Sequence, residues 1–84
     1  MPKWKLDKFT KEMNDKRASW ACNVLTDFGN KSDLDMIFDS ETVVRDLIID
    51  IAHWCDRNDV SLYDVLQRAR RFYALETEDQ GQQF

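Results

Sequence analysis

The sequence predicts an all-α fold, a small three-helix bundle with one additional short helical turn. Only two glycines and one proline interrupt its 84 residues, so few turns are forced on the chain. Apolar residues recur at steps of three and four along three segments, which is the spacing of one face of a helix. A hydrophobic content of 43% is enough for one globular core, and the length allows a single domain.

The first helix is predicted from a long apolar stripe that begins near the start of the chain. Gly29 follows the stripe immediately, and we expect it to close the helix in the left-handed conformation. Arg17 interrupts the stripe, so either its stem lies along the edge of the core or the first turns bend away there. The stripe comprises Leu6, Phe9, Met13, Trp20, Ala21, Val24, Leu25 and Phe28.

A polar connector, "NKSDLDMIFDS" at 30–40, separates the first two helices. Its apolar insert is expected to plug one end of the core as a single helical turn. Ser40 is a suitable N-cap for the second helix, and Glu41 complements the helix dipole. The second helix should then run to about Arg57. The insert consists of Leu34, Ile37 and Phe38, and the residues that the second helix is expected to bury are Val44, Leu47, Ile48, Ile51 and Cys55.

The third helix follows the break "RNDVS". Ser61 with Asp64 resembles a capping box, with Asp as a shorter substitute for Glu. The tail "ETEDQGQQF", residues 76–84, has no periodic apolar content, so we expect a flexible tail after a single helical domain at 1–75. The apolar side of the third helix comprises Leu62, Val65, Leu66, Ala69, Phe72 and Tyr73.

The net charge of −4 is unevenly distributed along the chain. Residues 1–17 carry six basic groups against three acidic ones, whereas residues 18–59 carry three basic groups against nine acidic ones. Overall acidity disfavours nucleic-acid binding, which needs a positive field, and the acidic middle suits a basic partner or simply solubility. No leader or bilayer-length apolar run is present, so we expect a cytoplasmic protein with no membrane contact. Cys22 and Cys55 are then free thiols, each expected to be a small buried hydrophobe.

The segment "LIIDIAHWCDRNDVS" raises the question of a metal or catalytic site. Asp46, Asp50 and His53 fall within roughly 60° of one another on the second helix, opposite its apolar side. They could ligate a cation, but a closed site needs ligands from another helix, and a solvated face with Asp-to-Arg steps explains them as well. No nucleophile elbow or phosphate loop is present. We therefore expect no metal, no cofactor and no catalytic residue.

Two other groups of residues suggest binding. The break before the third helix has the length of a helix-turn-helix turn, and Arg68, Arg70 and Arg71 would then face DNA, although they come late in the helix. Large aromatic residues at the edge of a small core are typical partner anchors, but they also serve as lids for a core too small to cover itself. The aromatic residues in such positions are Trp4, Trp54 and Tyr63.

Residues 47–76 resemble a set of short phage- and plasmid-encoded proteins that have no assigned activity. The shared pattern reads LxxDxxHWCD, then ARxxYxxE, and the segment "RASWACNVLTDF" is similar to their first helix. The resemblance covers about two-thirds of the chain and implies a mobile-element context. The residues that carry it are Leu47, Asp50, His53, Trp54, Cys55, Asp56, Ala69, Arg70, Tyr73 and Glu76.

These observations favour a non-catalytic protein-interaction module, whose partner is a host protein or a second copy in a homodimer. In the mobile-element context, an acidic inhibitor of a host nuclease or defence factor is one form of it. Its binding residues would be Trp4, Trp54, Tyr63, Asp46, Asp50 and His53. The alternative is a small DNA-associated regulator that uses the arginines of the third helix. A metal-dependent hydrolase ranks third.

Overall fold

The computed structural model describes the backbone of residues 3–84 and the side chains of residues 11–84. It contains three helices in the order α1 (Lys3–Lys31), α2 (Ser40–Arg57) and α3 (Leu62–Glu76), and no strand occurs within 3–84. One additional turn lies between α1 and α2, where the N–H of Asp39 donates to the carbonyl of Asp35. The prediction of an all-α fold is confirmed.

The described chain forms two compact units. The first unit is Ser19–Ser61, which holds the end of α1, the connector and α2. The second unit combines α1 up to Ala18 with Leu62–Phe84. The first unit carries three basic and nine acidic residues, so it coincides with the acidic segment of the sequence.

Gly29 does not end α1, so that prediction is wrong. The helix continues to Lys31, and the left-handed backbone conformation falls on Asp33, whose φ is 57°. Gly29 is buried, and a Cβ built on it would lie 3.0 Å from the carbonyl oxygen of Leu34 and 3.6 Å from Cγ2 of Val43. The glycine therefore allows the connector and α2 to approach α1 closely.

The start of α2 also differs from the prediction. Its N-cap is Asp39, and Ser40 is the first helical residue. The first helical bond runs from the N–H of Val43 to the carbonyl of Asp39, at 2.9 Å. Glu41 lies in the first turn, where its charge complements the helix dipole. The predicted end at Arg57 is confirmed, and the N–H groups of Asn58 and Val60 then donate to the carbonyl of Cys55.

The apolar side of α2 is less covered than its pattern predicts. Val43 and Cys55 are buried and Leu47 is half-buried, but Val44, Ile48 and Ile51 are exposed. The prediction of burial for these three residues is wrong, because a periodic pattern defines a face and does not supply a neighbour to cover it. On α1, Trp20, Ala21 and Val24 are likewise exposed, whereas Met13, Leu25 and Phe28 are half-buried.

In the second unit, polar contacts join α1 to the end of α3. The side-chain amide of Asn14 donates to the carbonyl of Glu76 at 2.9 Å. Nε of Arg17 lies 3.1 Å from Oε2 of Glu76, and Nη1 of Arg17 also donates to Oδ1 of Asn14. The position of Arg17 within the stripe is thus explained by an ion pair, and α1 is helical through it. The side chains of Leu6 and Phe9 lie outside the described side chains.

Residues of α3 and the segment after it meet at Tyr73. The Tyr73 and Phe84 rings pack edge to face with centroids 5.1 Å apart, and the N–H of Gln82 donates to the Tyr73 hydroxyl. On α3, Leu66 and Phe72 are exposed, contrary to prediction. The other predicted core residues of α3 are half-buried, namely Leu62, Val65, Ala69 and Tyr73. A single domain at 1–75 and a flexible tail at 76–84 stay predictions.

Candidate functional site

Two large apolar side chains stand almost fully exposed on the connector between α1 and α2. Ile37 is 83% exposed and Phe38 is 84% exposed, which makes them the most exposed large hydrophobic residues among the described side chains. They do not plug the core, so that prediction is wrong, and only Leu34 of the insert is half-buried. We call these two residues the Ile37–Phe38 tip.

Two aspartates hold the backbone on which the tip stands. The N–H of Asp39 donates to the carbonyl of Asp35 at 2.6 Å, and the N–H of Asp35 donates to Oδ2 of Asp39 at 3.1 Å. Oδ1 of Asp35 also accepts the N–H of Ile37 at 2.7 Å, which is the bond of an Asx turn. The reciprocal bonds fix the direction of the loop without any apolar packing of the tip itself.

The surroundings of the tip are acidic. Asp33, Asp35 and Glu41 are exposed and Asp39 is half-buried, whereas the nearest basic residue along the chain is Lys31. Carboxylates around an exposed apolar pair give a surface that is complementary to an apolar pocket rimmed by lysine and arginine.

The three residues of the acidic stripe of α2 have different environments in the structure. Asp46 is half-buried and its Oδ1 pairs with Nε and Nη2 of Arg45, at 3.0 and 2.9 Å. Asp50 and His53 are exposed, and Nη1 of Arg57 donates to the backbone carbonyl of His53. Within the described part of the chain, no three His, Cys, Asp or Glu side chains lie close enough to hold a metal ion.

The predicted aromatic anchors fall in different parts of the structure. Trp54 is exposed at the end of α2 in the first unit, and its carbonyl accepts the side-chain amide of Asn58. Tyr63 is exposed in the first turn of α3, in the second unit. The side chain of Trp4 lies outside the described side chains.

The three arginines of α3 are exposed. Arg70 and Arg71 line an open cavity of about 560 Å³ together with Tyr73, Phe84 and Asp79. Asp79 also lines this cavity, and its negative charge weakens the attraction of the cavity for a phosphate.

The two cysteines have different environments. Cys55 is buried, as predicted, whereas Cys22 is exposed on α1, so its predicted burial is wrong. Both are free thiols in the structure.

The sequence pattern does not reveal the tip. Apolar residues in a short loop are typical of a core, so the pattern predicts an interior position for Ile37 and Phe38. The signal that could have shown otherwise is the pair Asp35 and Asp39, which bracket the apolar residues and can satisfy the loop's backbone without burying it.

A comparison of the chain with protein-family models, curated proteins and solved structures found no match. None of the helices in the described range is both long enough and apolar enough to span a membrane.

Proposed function

We propose that the protein is a non-catalytic interaction module that binds a basic protein surface through the Ile37–Phe38 tip. The observation that carries the proposal is the exposure of both side chains, 83% and 84%, on a loop that Asp35 and Asp39 hold by hydrogen bonds. Exposed apolar patches that are rimmed by polar residues often mark protein–protein interaction sites.

The loop geometry favours binding energetically. Burying an isoleucine and a phenylalanine contributes roughly 1.5–3 kcal/mol each. A loop already ordered by its own hydrogen bonds loses little conformational entropy on binding, so more of this energy appears as affinity. The surrounding carboxylates supply attraction at long range and select against acidic surfaces.

The partner class follows from charge and from the resemblance to mobile-element proteins. The first unit carries three basic and nine acidic residues. Such a surface can place carboxylates in the sites where a nucleic-acid-binding protein binds phosphates. A host nuclease or defence factor in the cytoplasm is therefore the target we propose. The exposed apolar side chains also make a second copy of the chain a candidate partner.

The proposal is tested by capture from host lysate with the tagged protein, in parallel with nuclease-treated lysate. The variant Ile37→Ser/Phe38→Ser removes the tip, and Val24→Ser/Ile49→Ser is the matched control, since both of its residues are exposed in the same unit. We expect one host protein to be captured in both lysates by the parent and the control, and lost with the tip variant. Equal capture by the tip variant would exclude the tip as the binding element.

The alternative, a DNA-associated regulator, is supported by the exposure of all three arginines of α3. It predicts salt-sensitive binding of duplex DNA that Arg68→Ala/Arg71→Ala abolishes. Capture that disappears on nuclease treatment would favour this alternative over the interaction module.

A further inference from the structure

The residues that follow α3 turn back along the helix. Glu78 and Asp79 have φ values of 53° and 63°, which is the left-handed backbone conformation that commonly ends a helix. The N–H of Asp79 donates to the carbonyl of Ala74 at 2.8 Å, so the end of the helix is closed by its own chain. The residues after this turn then contact α3. We call residues 80–84 the return segment.

Tyr73 holds the return segment against the helix. The N–H of Gln82 donates to the Tyr73 hydroxyl at 3.2 Å, and the ring of Phe84 lies edge to face with the Tyr73 ring. A Cβ built on Gly81 would lie only 2.6 Å from Cε2 of Tyr73, so the backbone at Gly81 approaches the ring too closely for any side chain. These contacts with one tyrosine fix the position of the segment.

The cavity of about 560 Å³ described above lies between α3 and the return segment. Its volume is within the range of small-molecule sites, about 300–1,000 Å³. Gln67, Arg70, Ala74 and Thr77 line it from the helix, and their steps of three and four residues place them on one face of α3. Ala74 and Gly81 carry the smallest side chains of the two walls, which leaves the space between the walls open. The whole cavity belongs to the second unit.

The charges of the lining suit a ligand with one negative charge. Arg70 and Arg71 line the cavity together with Asp79, so the described side chains of the lining carry a net charge of +1. Each guanidinium presents N–H donors in a planar fork that matches the two oxygens of a carboxylate. A second negative charge on the ligand would be repelled by Asp79, which disfavours a phosphate ester.

The aromatic residues of the lining suit a ligand with a ring. Tyr73 and Phe84 both line the cavity, and their rings are perpendicular enough to each other, at 61°, to form a corner. Phe84 is 52% exposed, so part of its ring remains free for a further contact. Small-molecule sites combine such aromatic walls with a few polar groups that orient the ligand.

We propose that this cavity binds a small aromatic monocarboxylate. The carboxylate accepts hydrogen bonds from Arg70 and Arg71, and the ring packs against Tyr73 and Phe84. This site is separate from the proposed capture of a basic protein by the Ile37–Phe38 tip, because none of its residues belongs to the first unit.

The proposal is tested by titrating naphthoate into the isotope-labelled full chain and following the backbone amides by NMR. We expect saturable shifts at Gly81, Gln82 and Phe84 with a Kd of about 0.1–1 mM, the affinity of a ligand of this size, and no shifts at the tip. The neutral naphthamide should bind at least about tenfold more weakly, because it lacks the charge that the guanidinium groups pair with. Naphthyl phosphate should also bind more weakly than naphthoate, because its second charge meets Asp79.

Variants of α3 separate the cavity from the rest of the helix surface. Arg70→Gln and Arg71→Gln should each raise the Kd for naphthoate by about tenfold. Arg68→Gln is the matched control and should leave the Kd unchanged, since Arg68 is an exposed arginine of the same helix that does not line the cavity. Ala74→Leu should abolish binding with both arginines in place, because the larger side chain fills the space.

The tip variant should bind naphthoate as the parent does, so failure of this site and failure of the tip are distinguishable. Four results would each overturn the proposal. They are no saturable shift up to about 10 mM naphthoate, shifts centred on the first unit, binding of naphthamide or naphthyl phosphate as tight as that of naphthoate, and an equal effect of Arg68→Gln and the two cavity arginine variants.

Discussion

At position 29 a single hydrogen atom takes the place that a side chain would fill in any other residue. The Cβ position of Gly29 is 3.0 Å from the backbone oxygen of Leu34, and backbone moves less readily than the end of a side chain. We expect Gly29→Val to lower the free energy of unfolding by about 1–3 kcal/mol through overpacking against Val43. Urea denaturation measures it, with Asn30→Val as the control at an exposed neighbouring site. Equal stability of the two variants would contradict the close approach.

The thiols of Cys22 and Cys55 should react at different rates. Cys22 is exposed, whereas Cys55 is 5% exposed. In the native protein we expect one equivalent of a thiol reagent such as Ellman's reagent to react rapidly, and the second to react only after denaturation. Cys22→Ser should remove the rapid phase and leave the slow one. A rapid phase that survives in Cys22→Ser would show that Cys55 is accessible.

Residue identity predicted some of these environments and not others. The sequence placed Cys55 on the apolar side of its helix, which the structure confirms, and the same reasoning failed for Cys22. Burial of an apolar side chain depends on which surface lies against its helix, and on α1 several apolar residues remain exposed. For Gly29, the sequence predicted a helix end, which is wrong, and only the packing shows that this position needs a glycine for lack of space.

At the scale of the element, the connector should owe its order to Asp35. Asp35→Ala removes the acceptor of the Ile37 N–H, a loss we expect to cost about 0.5–1.5 kcal/mol of stability. Asp35→Asn is the matched control, because its side-chain oxygen can still accept the same bond. The measurement is urea denaturation of the three proteins side by side. If the alanine and asparagine variants are equally destabilised, the bond to Ile37 does not hold the loop.

The segment after α3 contacts the helix through the rings of Phe84 and Tyr73. Phe84→Ala removes the edge-to-face contact with Tyr73, which should cost about 0.5 kcal/mol because Phe84 stays half exposed. Gln83→Ala serves as the neighbouring control, and thermal denaturation compares the two. A change no larger than that of Gln83→Ala would favour the flexible tail that the composition of 76–84 predicts.

The end of α2 could be predicted because its signals are local, whereas the predictions for the end of α1 and the N-cap of α2 were wrong. The end of α2 at Arg57 follows from periodicity and from the polar break after it. The burial of Val44, Ile48 and Ile51 could not be predicted, since burial depends on what lies against the helix. The Ile37–Phe38 tip was missed for the same reason: hydrophobicity shows which residues avoid water, and not whether the same chain covers them.

For the whole molecule, the distribution of charge was the feature of the sequence that best predicted a division seen in the structure. The acidic segment at 18–59 is almost the same stretch as the unit Ser19–Ser61. The excess of acidic residues in this part of the sequence therefore belongs to one compact unit. That unit also holds the Ile37–Phe38 tip. The sequence could indicate the charge of this unit, whereas the exposure of its apolar side chains could be seen only in the structure.

The stability of the whole molecule tests whether a second copy is the partner of the exposed apolar side chains. If two copies associate through the tip, the urea midpoint should rise between about 2 and 200 µM protein, since dissociation is favoured by dilution. Ile37→Ser/Phe38→Ser should then unfold at a midpoint that no longer changes with concentration, and Val24→Ser/Ile49→Ser should keep the dependence. A midpoint of the parent protein that stays constant across this range would exclude a second copy as the partner of the tip.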